Sequence, residues 1–201
     1  GFSFMVDFPS AADSNFKRIT IYIGGYYASK EPAVIKTVLG SCISVCLFEN
    51  KLKFGGMNHF MLPEMREWEN PEDDYNHTRY GLFAMEVLIN EIIKLGGKKE
   101  NLTAKIFGGG HVLTGMTSNL LQIPDKNIRF AKNFLSEEKI PIISEDIGGS
   151  WPRKVFFFNT ENRVLMKKME SQTKEFSVEQ EIKYSKSLQN KIEEKSDITL
   201  F

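Results

Sequence analysis

Residues 37–63 read Thr-Val-Leu-Gly-Ser-Cys-Ile-Ser-Val-Cys-Leu-Phe-Glu-Asn-Lys-Leu-Lys-Phe-Gly-Gly-Met-Asn-His-Phe-Met-Leu-Pro. Residues 43–48 are rich in β-branched and aromatic side chains and read as a strand. A short polar break, Glu49-Asn50-Lys51-Leu52, separates them from a second extended stretch over 53–62. Two such stretches joined by a short break form an antiparallel hairpin. With the turn centred on Asn50-Lys51, Cys46 faces Gly55, Ser44 faces Met57, and Cys42 faces His59. Directly opposed residues hold their Cβ atoms about 4.5–5.5 Å apart, close enough for a thiol and an imidazole to interact. Gly55-Gly56 is the weak point of this register, because glycine pairs invite a bulge and one bulge moves the ring away.

The chemistry suits such a pair. A free thiol ionises near pH 8.5, so only a few per cent is thiolate at neutral pH. A neighbouring imidazolium stabilises the thiolate and later protonates a leaving amine. Gly40-Ser41 places flexible backbone just before Cys42, and nearby N–H groups, that of Cys42 included, are candidates to meet a developing oxyanion. Cys46, two pleats further along, reads as packing. His77 lies in a charged stretch and reads as solvated; His111 follows three glycines and reads as a turn residue. A metal site on Cys42, Cys46 and His59 lacks a fourth ligand and a close Cys-x-x-Cys pair. Gly108-Gly109-Gly110 is not followed by Gly-Lys-Ser/Thr, so it reads as a tight turn that lets backbones approach rather than as a phosphate loop.

Outward from the hairpin, residues 19–23 and 33–39 read as strands before it. Residues 64–77 are charged and aperiodic, a loop. Leu82, Met85, Leu88, Ile89 and Ile92 recur at helical spacing, with Thr78 as a cap and Gly96-Gly97 as the stop. Residues 103–107 form a strand, and a second helix starts near Asp125 or Asn127. Strands follow at 140–144, 154–158 and 163–167. The expected fold is therefore α+β, with mixed sheets in a layered sandwich flanked by helices.

The chain divides into a folded domain over 1–168 and a charged tail over 169–201, helical or partly disordered. Ser177 with Gln180 forms a capping box, and Val178, Ile182, Leu188 and Ile192 make only a thin apolar stripe. The tail reads as a solvated helix, with a partner-binding helix as the alternative suggested by the apolar end Ile198-Thr199-Leu200-Phe201.

The 201 residues carry 26 basic and 26 acidic side chains, so no net field draws the protein to nucleic acid or an anionic membrane. No apolar run approaches a membrane span, and no signal peptide is read at the start. Two cysteines with three residues between them make a poor disulfide, which favours a reducing cytoplasm.

Five segments in order resemble the CheD family, the chemoreceptor glutamine deamidases of bacterial chemotaxis. They are residues 37–47 around Cys42, residues 55–63 around His59, Arg-Tyr-Gly-Leu-Phe-Ala-Met at 79–85, Lys-Ile-Phe-Gly-Gly-Gly at 105–110, and Ser-Glu-Asp-Ile-Gly-Gly-Ser-Trp-Pro-Arg-Lys-Val-Phe-Phe-Phe at 144–158. The resemblance implies Cys42 as nucleophile, His59 as general base and acid, and Thr37 as the hydroxyl that orients the ring. It implies no metal or cofactor, and a fold related to the catalytic domain of cytotoxic necrotizing factor toxins. It also implies methyl-accepting chemoreceptor helices as substrate, without membrane insertion, and a CheC-type phosphatase as a further partner. Two other functions stand beside this one: a binding module that regulates such a phosphatase, and a thiol amidase acting on small molecules. His111 departs from the small residue expected there, and the tail after 168 lies outside the resemblance.

Overall fold

The computed structural model describes residues 9–63, 74–112, 118–170 and 177–196. Its strands, in chain order, are β1 (Lys17–Thr20), β2 (Tyr26–Ser29), β3 (Ala33–Leu39), β4 (Ile43–Glu49), β5 (Phe54–Asn58), β6 (Leu102–Gly108), β7 (Ile142–Ile147), β8 (Arg153–Phe158) and β9 (Arg163–Lys168). The helices are α1 (Asp74–Lys94), the single turn α2 (Ser118–Leu121), α3 (Ile123–Glu137) and α4 (Val178–Ser196). The strands form two mixed sheets, ordered β1-β3-β8-β9 and β2-β5-β4-β6-β7. In the first, β1 runs parallel to β3 and the other pairs are antiparallel. In the second, only β6 and β7 are parallel.

Side-chain alternation sorts these strands into layers. Ile35 and Leu39 of β3, with Val155 and Phe157 of β8, meet Cys42, Cys46, Met57, Met61 and Phe107 between the two sheets. The opposite face of the second sheet carries Ile43, Val45, Leu47, Phe54 and Ile106 against Met85, Leu88 and Ile92 of α1 and Ala131, Phe134 and Leu135 of α3. The order is thus sheet, sheet, helices: the expected α+β class with layered mixed sheets. Val178, Ile182 and Tyr184 of α4 pack on the inter-sheet core, so α4 closes one margin of the seam between the sheets.

The hairpin forms, but two residues out of the expected register. Cys46 pairs with Met57, Phe48 with Gly55 and Glu49 with Phe54, and Ile43 bridges Phe60. The loop is Asn50 to Lys53, with Lys53 at φ 59° and its N–H donating to the Glu49 carbonyl. Asn50 does not supply the turn's positive φ. Its side-chain amide is donated to the Asn101 carbonyl at 2.8 Å and to Thr103 Oγ1 at 3.1 Å, tying the loop to the start of β6. Gly55-Gly56 forms no bulge. A Cβ on Gly55 would strike the Leu47 carbonyl, and one on Gly56 would lie 2.6 Å from the Ala28 Cβ; these glycines allow close packing of β5 between β4 and β2.

Other expectations need correction. Helix α1 begins at Asp74, ahead of the expected cap Thr78, and takes in His77, which is only 3 % exposed rather than solvated. The rest of the expected loop, 64–73, lies outside the described residues. Strand β2 was not anticipated. It is a four-residue edge strand, exposed or half-buried throughout, and carries almost no alternation signal.

Candidate active site

Strand β3 presents Thr37 between Ile35 and Leu39, facing the inter-sheet seam. The second sheet delivers His59 just beyond β5, where the histidine's N–H donates to the Gly25 carbonyl and its own carbonyl accepts from the Gly24 N–H. The two sheets thus bring Thr37 Oγ1 and His59 Nδ1 to 2.7 Å. Thr37 also donates to the Ile21 carbonyl at 2.9 Å. A hydroxyl has one proton. With that proton spent on Ile21, the ring must donate from Nδ1, which leaves the Nε2 lone pair free to act as a base. His59 Nε2 is buried and no group among the described residues hydrogen-bonds it.

Cys42 lies immediately after the turn out of β3, and its neighbours are fixed by backbone contacts from distant elements. Gly110 N–H donates to the Gly40 carbonyl and Gly109 N–H to the Cys42 carbonyl, each at 2.8 Å. Asn127 of α3 donates its amide to the Ser41 carbonyl at 2.9 Å. The glycine run reads as the sequence suggested: Gly108 and Gly109 adopt φ of 112° and 65°, and a Cβ on Gly108 would collide with the Cys42 carbonyl. The N–H groups of Gly40 and Ser41 both point at one carboxylate, that of Glu181 on α4, at 3.0 and 2.9 Å, and Ser41 Oγ donates to it at 2.6 Å. Successive N–H groups converging on one acceptor form an anion-binding concavity.

In this register Cys42 is not directly opposite His59. Carrying the Ile43–Phe60 bridge one residue each way puts Cys42 opposite Met61 and Ser44 opposite His59. The shift is even, so both residues keep the face that alternation assigns them. They become diagonal neighbours, whose Cβ separation in a regular sheet is somewhat under about 7–8 Å. The ladder loosens there: Asn58 Oδ1 takes the Val45 N–H, while the Asn58 carbonyl takes the Ser44 hydroxyl.

The electrostatics of the enclosed site favour neutral forms. Burial holds the His59 ring down to about 3. Burial pushes the Cys42 thiol well up, and the charge and hydrogen bond of Glu181 push it further, against a smaller opposing effect of its own backbone N–H. Cys46 is also raised, by burial and against a smaller opposing effect of the Lys105 charge, as expected of a packing thiol in mid-strand.

A stability effect follows for His59. The unfolded chain binds this proton near pH 6.5 and the folded chain only near 3. Between those values the unfolded state holds more protons, so folding stability drops as pH falls, by up to about 1.4 kcal/mol per pH unit. Wild-type protein is expected to lose stability from pH 6.5 to 5 more steeply than His59→Gln by about that slope, as read by urea melts at each pH.

The structure therefore joins Thr37 to His59 and sets Cys42 on the same inter-sheet face. His111 is half-exposed, with Nε2 3.0 Å from Asp125 Oδ1. Among the described residues, no three His, Cys, Asp or Glu side chains are grouped to hold a metal ion, and no helix is long and apolar enough to cross a membrane. Sequence reasoning missed Glu181. Nothing marks this carboxylate among the charges of the tail; the only available signal was that buried Gly40 and Ser41 N–H groups require an acceptor from somewhere.

A family model described as CheD chemotactic sensory transduction matches residues 61–168. Among curated relatives, the chain is 44% identical over 183 residues to a probable chemoreceptor glutamine deamidase CheD of Methylobacillus flagellatus, covering 89% of this chain and 87% of that protein. A protein of the same name from Thiobacillus denitrificans is 41% identical over 90% of this chain and 89% of its own. The probable chemoreceptor glutamine deamidase CheD 1 of Shewanella oneidensis is 40% identical over 94% and 91%.

Proposed function

The chain belongs to the CheD family, and from that premise we propose that it converts glutamine side chains of methyl-accepting chemoreceptors to glutamate through a thioester on Cys42. The observation that carries the reading is the Thr37–His59 hydrogen bond, because it leaves a buried base nitrogen on the face that holds Cys42. His59 takes the thiol proton as the sulfur attacks the side-chain amide carbon. The oxyanion that develops is held by the N–H groups of Gly40 and Ser41. His59 then protonates the departing ammonia and activates the water that hydrolyses the thioester. Every step uses groups of this chain and one water. A glutamyl methyl ester gives the same acyl-enzyme, so ester hydrolysis falls within the same chemistry. The reading extends to a cytoplasmic location, and to kinship of the fold with cytotoxic necrotizing factor-like cysteine hydrolases.

Trapping tests the thioester. With receptor cytoplasmic fragments and hydroxylamine present, the acyl group should transfer to hydroxylamine and mark the target glutamines as hydroxamates. Absence of hydroxamate while ammonia is still released would contradict a covalent intermediate. The role of Thr37 predicts a smaller effect: Thr37→Val keeps the shape, frees the ring to turn, and is expected to lower kcat roughly a hundredfold with KM little changed. Steady-state kinetics on receptor fragments read the split.

A second reading, regulation of a CheC-type phosphatase by binding, is kept because the Cys42 thiol is fully buried and beside a carboxylate in this structure. Unchanged phosphatase binding by Cys42→Ala and His59→Ala would favour it.

A further inference from the structure

We propose that the groove beneath α4 is the docking site of the substrate helix, and that α4 is its resident occupant, with Glu181 standing where the product glutamate stands. This rests on the deamidase reading above and names how that site is covered and what uncovers it.

Three observations carry it. Glu181 reaches from a helix about 140 residues downstream to accept hydrogen bonds from Gly40 N–H, Ser41 N–H and Ser41 Oγ, and it is only 3 % exposed. A glutamate carboxylate on the N–H groups beside the nucleophile is the geometry a deamidation product would have. Next, α4 forms one wall of a cavity of about 580 Å³, through Ser177, Gln180, Glu181 and Tyr184. The facing wall includes Ile21, Thr37 and His59, so lifting α4 opens the cavity onto the base. Last, the seated face of α4 is unusual for a helix that merely covers a core. It buries Glu181, Ser185 and Gln189, one turn apart in succession, with Leu188. Glu181 is received by the Gly40 and Ser41 groups, whereas Ser185 Oγ is buried with no hydrogen-bond partner among the described residues, which is rare for a helix that only covers a core. Ser177, just before α4, and Ser185 lie four residues on either side of Glu181. The partner that fits is thus an amphipathic helix with glutamine at the Glu181 position, small residues one turn before and after it, and an apolar residue two turns on.

Helix α4, the described helical part of the tail expected to be solvated, is instead half-buried. Ile192 and the apolar end 198–201 lie outside the residues whose side chains are described.

The seat also explains the neutral state of the site. While α4 is down, Glu181 opposes thiolate formation at Cys42 and burial disfavours the charged ring of His59. Displacement removes the carboxylate and admits water to the ring, and both changes restore the charged pair that attack requires.

The test uses full-length protein with Glu181→Ala and Glu181→Lys, neither of which offers an acceptor to the Gly40 and Ser41 N–H groups. Iodoacetamide labelling, read by peptide mass spectrometry, follows Cys42 and Cys46 separately. Cys46 is buried in mid-strand and serves as the folding control. The expected result is Cys42 alkylation at least roughly tenfold faster in both variants with Cys46 unlabelled, and a comparable rise in kcat/KM on receptor fragments. Equal Cys42 labelling in variants and wild type overturns the proposal. So does joint labelling of Cys42 and Cys46, which would make Glu181 a brace of the fold. Faster labelling of Cys42 alone, with no deamidation by any form including wild type, supports the seat over the thiol while overturning the deamidase reading.

Discussion

Cys42→Ala is expected to lower ammonia release from receptor fragments at least about a thousandfold, to the level of the uncatalysed reaction plus binding. The size follows from the role. Removing the nucleophile removes the covalent route altogether, and no nearby thiol replaces it: Cys46 lies four residues on, within β4, facing Met57. The substitution should not cost the fold. Cys42 is buried and alanine leaves a small void in the inter-sheet core, for which a loss of about 1 kcal/mol is expected. Near-wild-type melting with abolished turnover is the combined result, checked by urea melts alongside the ammonia assay. Turnover above a tenth of wild type would remove Cys42 from the chemistry.

His59→Ala comes next, with an expected fall of roughly a hundred- to ten-thousandfold. Its signature is in the pH profile. Without the base, the thiol must ionise unaided, so residual activity should climb about tenfold per pH unit toward the cysteine's own titration. Wild type, whose base is already neutral around pH 7, should be nearly flat over pH 7–8.5. A variant profile parallel to that of wild type would mean that His59 does not move the proton. The substitution also removes the hydrogen bond that Thr37 makes to the His59 side chain across the sheets, so a small loss of stability accompanies it.

How much of this was legible in the sequence depends on the element. The hairpin, β3 and β6 were plain because their side chains alternate between two packed faces, and the two hydrophobic layers enforce that pattern. The register was not legible. Asn50 invited a turn assignment, but its side chain answers to Asn101 and Thr103, fifty residues away. The error was even, which is why the face shared by Cys42 and His59 survived it. His77 was misjudged because its neighbours in sequence are charged, while its place in α1 turns it inward. Thr37 was paired with His59 by the family resemblance and by no spacing, since the two belong to different sheets and their contact is a matter of packing between layers. Glu181 was hidden for the same reason at longer range. The Gly40 and Ser41 N–H groups needed an acceptor, and no local rule says which distant helix provides it. Substrate class came from the ordered family segments and not from any spacing.

The central claim is that Cys42 and His59 convert a receptor glutamine to glutamate. The most direct measurement is peptide mass spectrometry of chemoreceptor cytoplasmic fragments incubated with wild-type protein, Cys42→Ala or His59→Ala. The predicted result is a gain of about one dalton at specific glutamines with wild type, and none above background with Cys42→Ala. The same gain with Cys42→Ala as with wild type would contradict it.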